Sequence, residues 1–236
     1  MRTPVLVACS HGTRDLDGRR AVRSLVSAVA AARPGQEVRE AFVDVQQPEV
    51  ADVVREITDL GRAAVVVPLL LSIGYHVEVD VARAVAGRDA VAAAALGPDE
   101  RLTALLLERL HSRGLAPQDA LVLAAAGSSD PQAGRAVERV AEALRHKHSG
   151  PVSVGYAAAA RPSVAEAVAA SRADDGGRRV TVASYLLAPG HFHSLLGEAG
   201  ADVVTDPLLP NDGPPDARLV ELVLARYDAA SATLRR

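Results

Sequence analysis

The chain has 236 residues, 49% of them hydrophobic, with 26 basic side chains against 29 acidic ones for a formal net charge of −3. This composition predicts a packed globular protein of one large or two small domains and excludes a disordered chain. A balanced charge with only 3% aromatic residues supplies neither the basic footprint nor the stacking platform of a nucleic-acid binder, so no nucleic-acid partner is expected. In chain order, a β-branched run at residues 5–8 reads as a strand. A helix over 16–32 follows, with Ala21, Leu25, Val26 and Val29 at helical spacing, and Arg33-Pro34-Gly35 ends it. The pattern continues as strand 38–45, helix 48–60 with Pro48 in its first turn, strand 63–70, helix 77–86, strand 90–95 and helix 99–111. Residues 112–119, with Gly114 and Pro117, read as a linker, after which a second apolar strand begins at 121–125. The chain closes with a proline-rich loop at 207–215 and an amphipathic helix over 217–229.

Strands alternating with helices imply parallel sheets covered on both faces. Three landmarks recur in the two halves. His11-Gly12-Thr13-Arg14-Asp15 corresponds to Ala126-Gly127-Ser128-Ser129-Asp130, the segment 42–54 to 156–168, and 69–74 to 185–190. Gly127 lies 115 residues after Gly12, Pro162 lies 114 after Pro48, and Gly190 lies 116 after Gly74. Near-constant spacing indicates a duplication. The expected fold class is therefore α/β: two similar tandem domains, 1–115 and 118–236, each a parallel β-sheet flanked by helices, with an interdomain cleft for a ligand.

Cys9 is the only cysteine, which rules out an intrachain disulfide and a cysteine-based zinc site within one chain and suits a reducing compartment. Lys147 is the only lysine and lies between His146 and His148, so neither a P-loop nor a Schiff-base mechanism fits. The apolar run at 5–9 is too short for a signal-peptide core. The densest apolar stretch, 63–73, is interrupted by Pro68 and falls short of the ~18 residues that span a bilayer. The expectation is a soluble cytoplasmic protein with no membrane partner.

In open parallel sheets, ligands bind at the carboxyl edge of the strands. His11 follows the first strand, Asp44 ends the second, and Gly74-Tyr75-His76 follows the third, so all three converge on one edge. Two neutral imidazoles with a nearby carboxylate resemble an open site for a borderline divalent ion. Read by themselves, however, His11 equally suits a helix cap, and Glu78 and Asp80 suit simple helix-start charges. Gly12 lets the backbone turn tightly, and the amides of that turn offer themselves to an anion. In the second half Ala126 stands in place of His11, while His191 and His193 flank Phe192 as either ligands or polar loop residues. His111, His146 and His148 sit at helix ends and receive no function.

The segments LVACSHGTRD, AFVDVQQPEV and VVVPLLLSIGYHVEVDV resemble the sirohydrochlorin chelatases, small ATP-independent class II chelatases related to the cobaltochelatases, over essentially the whole chain. The two-halved long form of that family resembles the internal repeat. The resemblance implies an enzyme, a lyase inserting Co²⁺ or Fe²⁺, and in some members Ni²⁺, into sirohydrochlorin for cobalamin or sirohaem biosynthesis. The metal is then a substrate, and no organic cofactor is implied. It further implies that His11 and His76 are the catalytic and metal-holding histidines, and that Asp44 occupies the family's acidic position with a shorter carboxylate.

Imidazole suits this chemistry because it binds first-row divalent ions and its pKa near 6.5 permits proton acceptance at neutral pH. A carboxylate-fringed, apolar macrocycle calls for a non-polar floor and an arginine rim. Floor candidates are Leu70, Leu71, Ile73, Leu186, Leu187 and Pro189; Arg14 and Arg161 are rim candidates, and Ser10 lies beside them in the first turn. Two rivals stand beside this reading. A histidine-phosphatase-like hydrolase would place an arginine where Ser10 stands. A metal or tetrapyrrole carrier would use the same residues without turnover. Two fused halves are compatible with a monomer and leave a dimer open.

Overall fold

The computed structural model describes residues 3–72, 74–173, 177–209 and 211–234, with residues 75–77 described as backbone only. Within them the order is β1(Val5–Ser10), α1(Leu16–Ala32), β2(Val38–Phe42), α2(Val50–Asp59), β3(Ala64–Pro68), α3(Tyr75–Val85), β4(Ala90–Ala92) and α4(Glu100–Ser112). It continues through β5(Ala120–Ala125), α5(Pro131–Arg145), β6(Val152–Tyr156), α6(Val164–Ala173), β7(Val180–Tyr185), α7(His191–Gly197), β8(Val203–Val204) and α8(Ala217–Leu234). Two four-stranded sheets result, ordered β2-β1-β3-β4 and β6-β5-β7-β8. Every strand pair in both is parallel.

Sequence dictates this locally. Val5 to Cys9 are all at most 1% exposed, the burial expected of a central parallel strand with helices on both faces. Helix α1 starts where the Asp15 carboxylate accepts the Gly18 N–H at 2.8 Å, and it turns Ala21, Val22, Leu25 and Val29 inward. Asp99 and Asp130 cap α4 and α5 in the same way. The apolar side of the first sheet packs Val5, Val7, Val66, Val53, Val54 and Ile57 into one core; Val122, Val182, Val164 and Leu196 do so in the second.

The compact units do not follow the expected division into 1–115 and 118–236. One unit comprises 1–96 with 211–236, and the other comprises 97–210. The terminal helices are exchanged relative to the repeat: α8 covers β3, β4 and α1, whereas α4 packs on β7 and α5. In the first unit, Leu222 and Val223 of α8 are fully buried and the Tyr227 hydroxyl donates to the Pro4 carbonyl at 2.7 Å. Arg33 forms a two-pronged pair with Asp228 at 2.6 and 2.8 Å, and Arg226 donates to the Ala95 and Leu96 carbonyls at 2.7 and 2.9 Å.

Several element ends differ from expectation. β2 stops at Phe42 rather than at residue 45 because the backbone turns sharply at Val45, whose φ is 66°. β4 is three residues long, and α3 begins at Tyr75, directly after Gly74. Among the described residues no helix is long and apolar enough to cross a membrane.

Candidate functional site

The carboxyl edge of the first sheet is organised around Gly12. Strands β2, β1 and β3 are neighbours, so their following turns are adjacent. The ladder between β1 and β2 continues beyond both strands: Val43 N–H donates to the Ser10 carbonyl and Asp44 N–H to the His11 carbonyl, each at 3.0 Å. Gly12 has φ +93°, and a Cβ there would lie 2.1 Å from the Asp44 carbonyl oxygen, so only glycine fits. Gln46 N–H donates to the Asp44 carbonyl at 2.7 Å, closing a γ-turn on Val45. A positive φ at a β-branched residue is unfavourable, and such strain gathers at functional sites.

These turns present His11 and Asp44 side by side. His11 is exposed, and its ring makes no hydrogen bond among the described residues. Asp44 is also exposed; its Oδ1 accepts the Val45 N–H at 2.6 Å. The third turn joins this edge through Leu69 N–H, which donates to the Cys9 carbonyl at 2.7 Å. It leads into α3, whose second residue is His76. The side chain of His76 and all of Ile73 lie outside the described residues. Glu78 is exposed in the first turn of α3, and Asp80 is 3.8 Å from Arg83.

Other expected site residues are placed differently. Ser10 and Leu71 are 6% and 8% exposed, so both side chains are packed inward rather than offered to a ligand. Arg14 is exposed with no charged partner among the described residues, whereas Arg161 is paired with Glu166. Arg161 and the Ser163 amide hold the Glu166 carboxyl down to about 2. Leu70, Leu187 and Pro189 are half-buried and Leu186 is buried. His193 is spoken for, with its Nε2 3.1 Å from the Thr205 carbonyl, while His191 is exposed. Buried His148 contacts the Asp119 carbonyl at 2.8 Å, a structural role.

Part of the first turn's hydrogen-bonding capacity is used internally. Thr13 N–H donates to Gln46 Oε1 at 2.9 Å, Asp15 N–H to Thr13 Oγ1 at 3.1 Å, and Gly18 N–H to Asp15. These three amides are engaged within the protein and are not offered to an anion. Cys9 is equally unavailable, because burial pushes its thiol up to about 12 and it stays neutral. Gln46, and Arg19 whose Nε donates to the Thr13 carbonyl at 2.7 Å, are site-building residues that spacing alone did not reveal.

The second unit repeats the frame without the chemistry. Ala158 N–H donates to the Ala126 carbonyl at 2.9 Å and Ala160 N–H to the Ala158 carbonyl at 2.7 Å. Ala159 has φ 56°, and a Cβ on Gly127 would meet the Ala158 oxygen at 1.8 Å. Alanines thus occupy the positions of both His11 and Asp44.

A family model described as CbiX matches residues 5–113 and 120–198, one segment for each repeat. The chain belongs to the CbiX family. Among solved structures, SirB from Bacillus subtilis with Fe³⁺ is similar at 18% identity and a TM-score of 0.79, covering 99% of this chain and 97% of that one. The sirohydrochlorin chelatase SirB from Bacillus subtilis subspecies spizizenii, in complex with cobalt, gives 17% identity and a TM-score of 0.74 over 98% and 96%. CbiX, described as the terminal enzyme for siroheme biosynthesis in denitrifying bacteria, gives 22% and 0.65 over 94% and 98%. At these identities the structural likeness establishes the fold. No curated protein matches the chain. The CbiX-family frame therefore spans both repeats here, while the first repeat alone carries a histidine and a carboxylate at the β1 and β2 turns.

Proposed function

We propose that this chain is a sirohydrochlorin chelatase that inserts Co²⁺ or Fe²⁺ into the macrocycle, with no organic cofactor, in the cytoplasm. Membership of the CbiX family supports the reading, as do neighbours described as a sirohydrochlorin chelatase with cobalt and as SirB with Fe³⁺. The observation that carries it is the exposed imidazole of His11, which has no hydrogen-bond partner among the described residues, beside the exposed carboxylate of Asp44, with their backbones joined at 3.0 Å.

In this reading the metal arrives as substrate. His11 and His76 hold it, Asp44 assists its delivery with Glu78 close by in sequence to His76, and the exchangeable positions remain open to water and macrocycle. Insertion places one M²⁺ on the pyrrole nitrogens and releases two protons, which neutral imidazoles accept. Exposed Arg14 draws the carboxylate fringe of the substrate. The phosphatase alternative loses support because Ser10 stands where its phosphate-binding arginine would be.

The test is anaerobic turnover of sirohydrochlorin with Co²⁺ or Fe²⁺, followed by visible absorption. Metal-dependent conversion over many turnovers, lost in His11→Ala, is expected. Conversion that stops at one equivalent means a carrier, and hydrolysis of phosphate esters without metal conversion means a phosphatase.

A further inference from the structure

We propose that Gln46 is a positioning residue that holds the His11 and Asp44 turns in register for metal handling. The assignment rests on the chelatase reading above and deepens it. Among the described residues, Gln46 is the one side chain that ties the two turns together, with Oε1 accepting the Thr13 N–H at 2.9 Å across 33 residues of sequence. Its own N–H donates to the Asp44 carbonyl at 2.7 Å, and Asp44 N–H in turn donates to the His11 carbonyl at 3.0 Å. The loop from 11 to 13 and the loop from 44 to 46 are therefore joined at both ends, once through backbone and once through the Gln46 amide.

The internal repeat provides a control. In the second unit the rest of this frame is kept bond for bond: the backbone bonds Ala158 to Ala126 at 2.9 Å and Ala160 to Ala158 at 2.7 Å, and the side-chain bond from Asp130 N–H to Ser128 Oγ at 3.1 Å, the counterpart of Asp15 to Thr13. The counterpart of Gln46 is Ala160, which has no side-chain acceptor to offer the Ser128 amide. The fold builds the double turn without the tether. The tether occurs in the repeat that carries His11 and Asp44 and is missing from the one that carries Ala126 and Ala158. Its purpose is thus the geometry of those two ligands rather than the integrity of the turn, as expected of outer groups that orient metal ligands.

The experiment compares wild type, Gln46→Ala and Gln46→Glu, which keeps the acceptor in place. Three quantities are read: Co²⁺ affinity of the metal-free chain by calorimetry, kcat and KM for sirohydrochlorin, and melting temperature. Gln46→Ala is expected to weaken Co²⁺ binding and lower kcat, each roughly 10-fold, with KM unchanged and melting lowered by no more than about 4 °C. Gln46→Glu is expected to restore kcat. A wild type that inserts metal alongside a Gln46→Ala variant with the same kcat and Co²⁺ affinity overturns the positioning role alone. So does a loss that Gln46→Glu leaves unrepaired. Weakened Co²⁺ binding in Gln46→Ala, with no turnover by the wild type, overturns the chelatase reading and keeps the positioning role; a wild type that neither binds Co²⁺ nor inserts it overturns both.

Discussion

Replacing Gly12 with alanine sets the geometry of the first turn against its chemistry. The residue has φ +93°, and the added Cβ would lie 2.1 Å from the Asp44 carbonyl oxygen. Left-handed backbone costs an alanine about 1–2 kcal/mol. Relieving the overlap moves the Asp44 carbonyl, which accepts from Gln46 N–H at 2.7 Å, and strains the bond from Asp44 N–H to His11 at 3.0 Å. Each such bond contributes about 1 kcal/mol net. The sum is about 3–4 kcal/mol, or roughly a 10 °C fall in melting temperature for a chain of this size. Gly127→Ala is its matched partner, with φ +91° and a Cβ 1.8 Å from the Ala158 oxygen. Differential scanning calorimetry should show both variants destabilised to a similar degree. Co²⁺ titration should separate them, because only Gly12→Ala displaces His11 and Asp44. A Gly12→Ala chain that melts with the wild type, or a Gly127→Ala chain that loses Co²⁺ affinity equally, would refute this reasoning.

Three further outcomes follow from burial. Cys9 is 0% exposed with its thiol pushed up to about 12, so at pH 8 the native chain should resist thiol reagents and react only as it unfolds; prompt labelling of folded protein contradicts this. Because the folded pKa lies above the unfolded one, near 8.5, the stabilising contribution is full below that pH and is lost as pH rises toward about 12. Tyr185, also raised by burial, acts in the same direction, and melting temperatures should fall through this window. Tyr227→Phe removes the buried donor to the Pro4 carbonyl, a loss of about 1 kcal/mol or about 2–4 °C. An unchanged melting temperature would mean that this bond does not help hold α8 to the first unit.

Much of this architecture is legible in the chain itself. Val5 to Cys9 announce a buried strand, the aspartates at 15, 99 and 130 mark helix starts, and the spacing of Gly12 and Gly127 reveals the repeat. The exchange of α4 and α8 is not legible, because the stripe of Leu219, Leu222, Val223 and Tyr227 requires a buried face without saying which sheet supplies it. Val45 misleads in a different way: valine favours extended backbone, yet tertiary hydrogen bonds hold it at φ 66° and end β2 early. At the site, residue types and strand ends pointed to His11 and Asp44. They could not reveal that Ser10 and Leu71 are buried or that Gln46 reaches Thr13, since these are packing outcomes of the whole unit or contacts between segments distant in sequence; the Arg161–Glu166 pair is local but depends on the turn that brings position 161 back over the start of α6.

The most direct test of the proposed activity is anaerobic insertion of Co²⁺ into sirohydrochlorin by the wild type and by His11→Ala, with melting temperatures measured in parallel. The account predicts many turnovers by the wild type and near-background conversion by a His11→Ala chain that melts normally, since the ring is exposed and makes no hydrogen bond among the described residues. Wild-type rates retained in His11→Ala would contradict it.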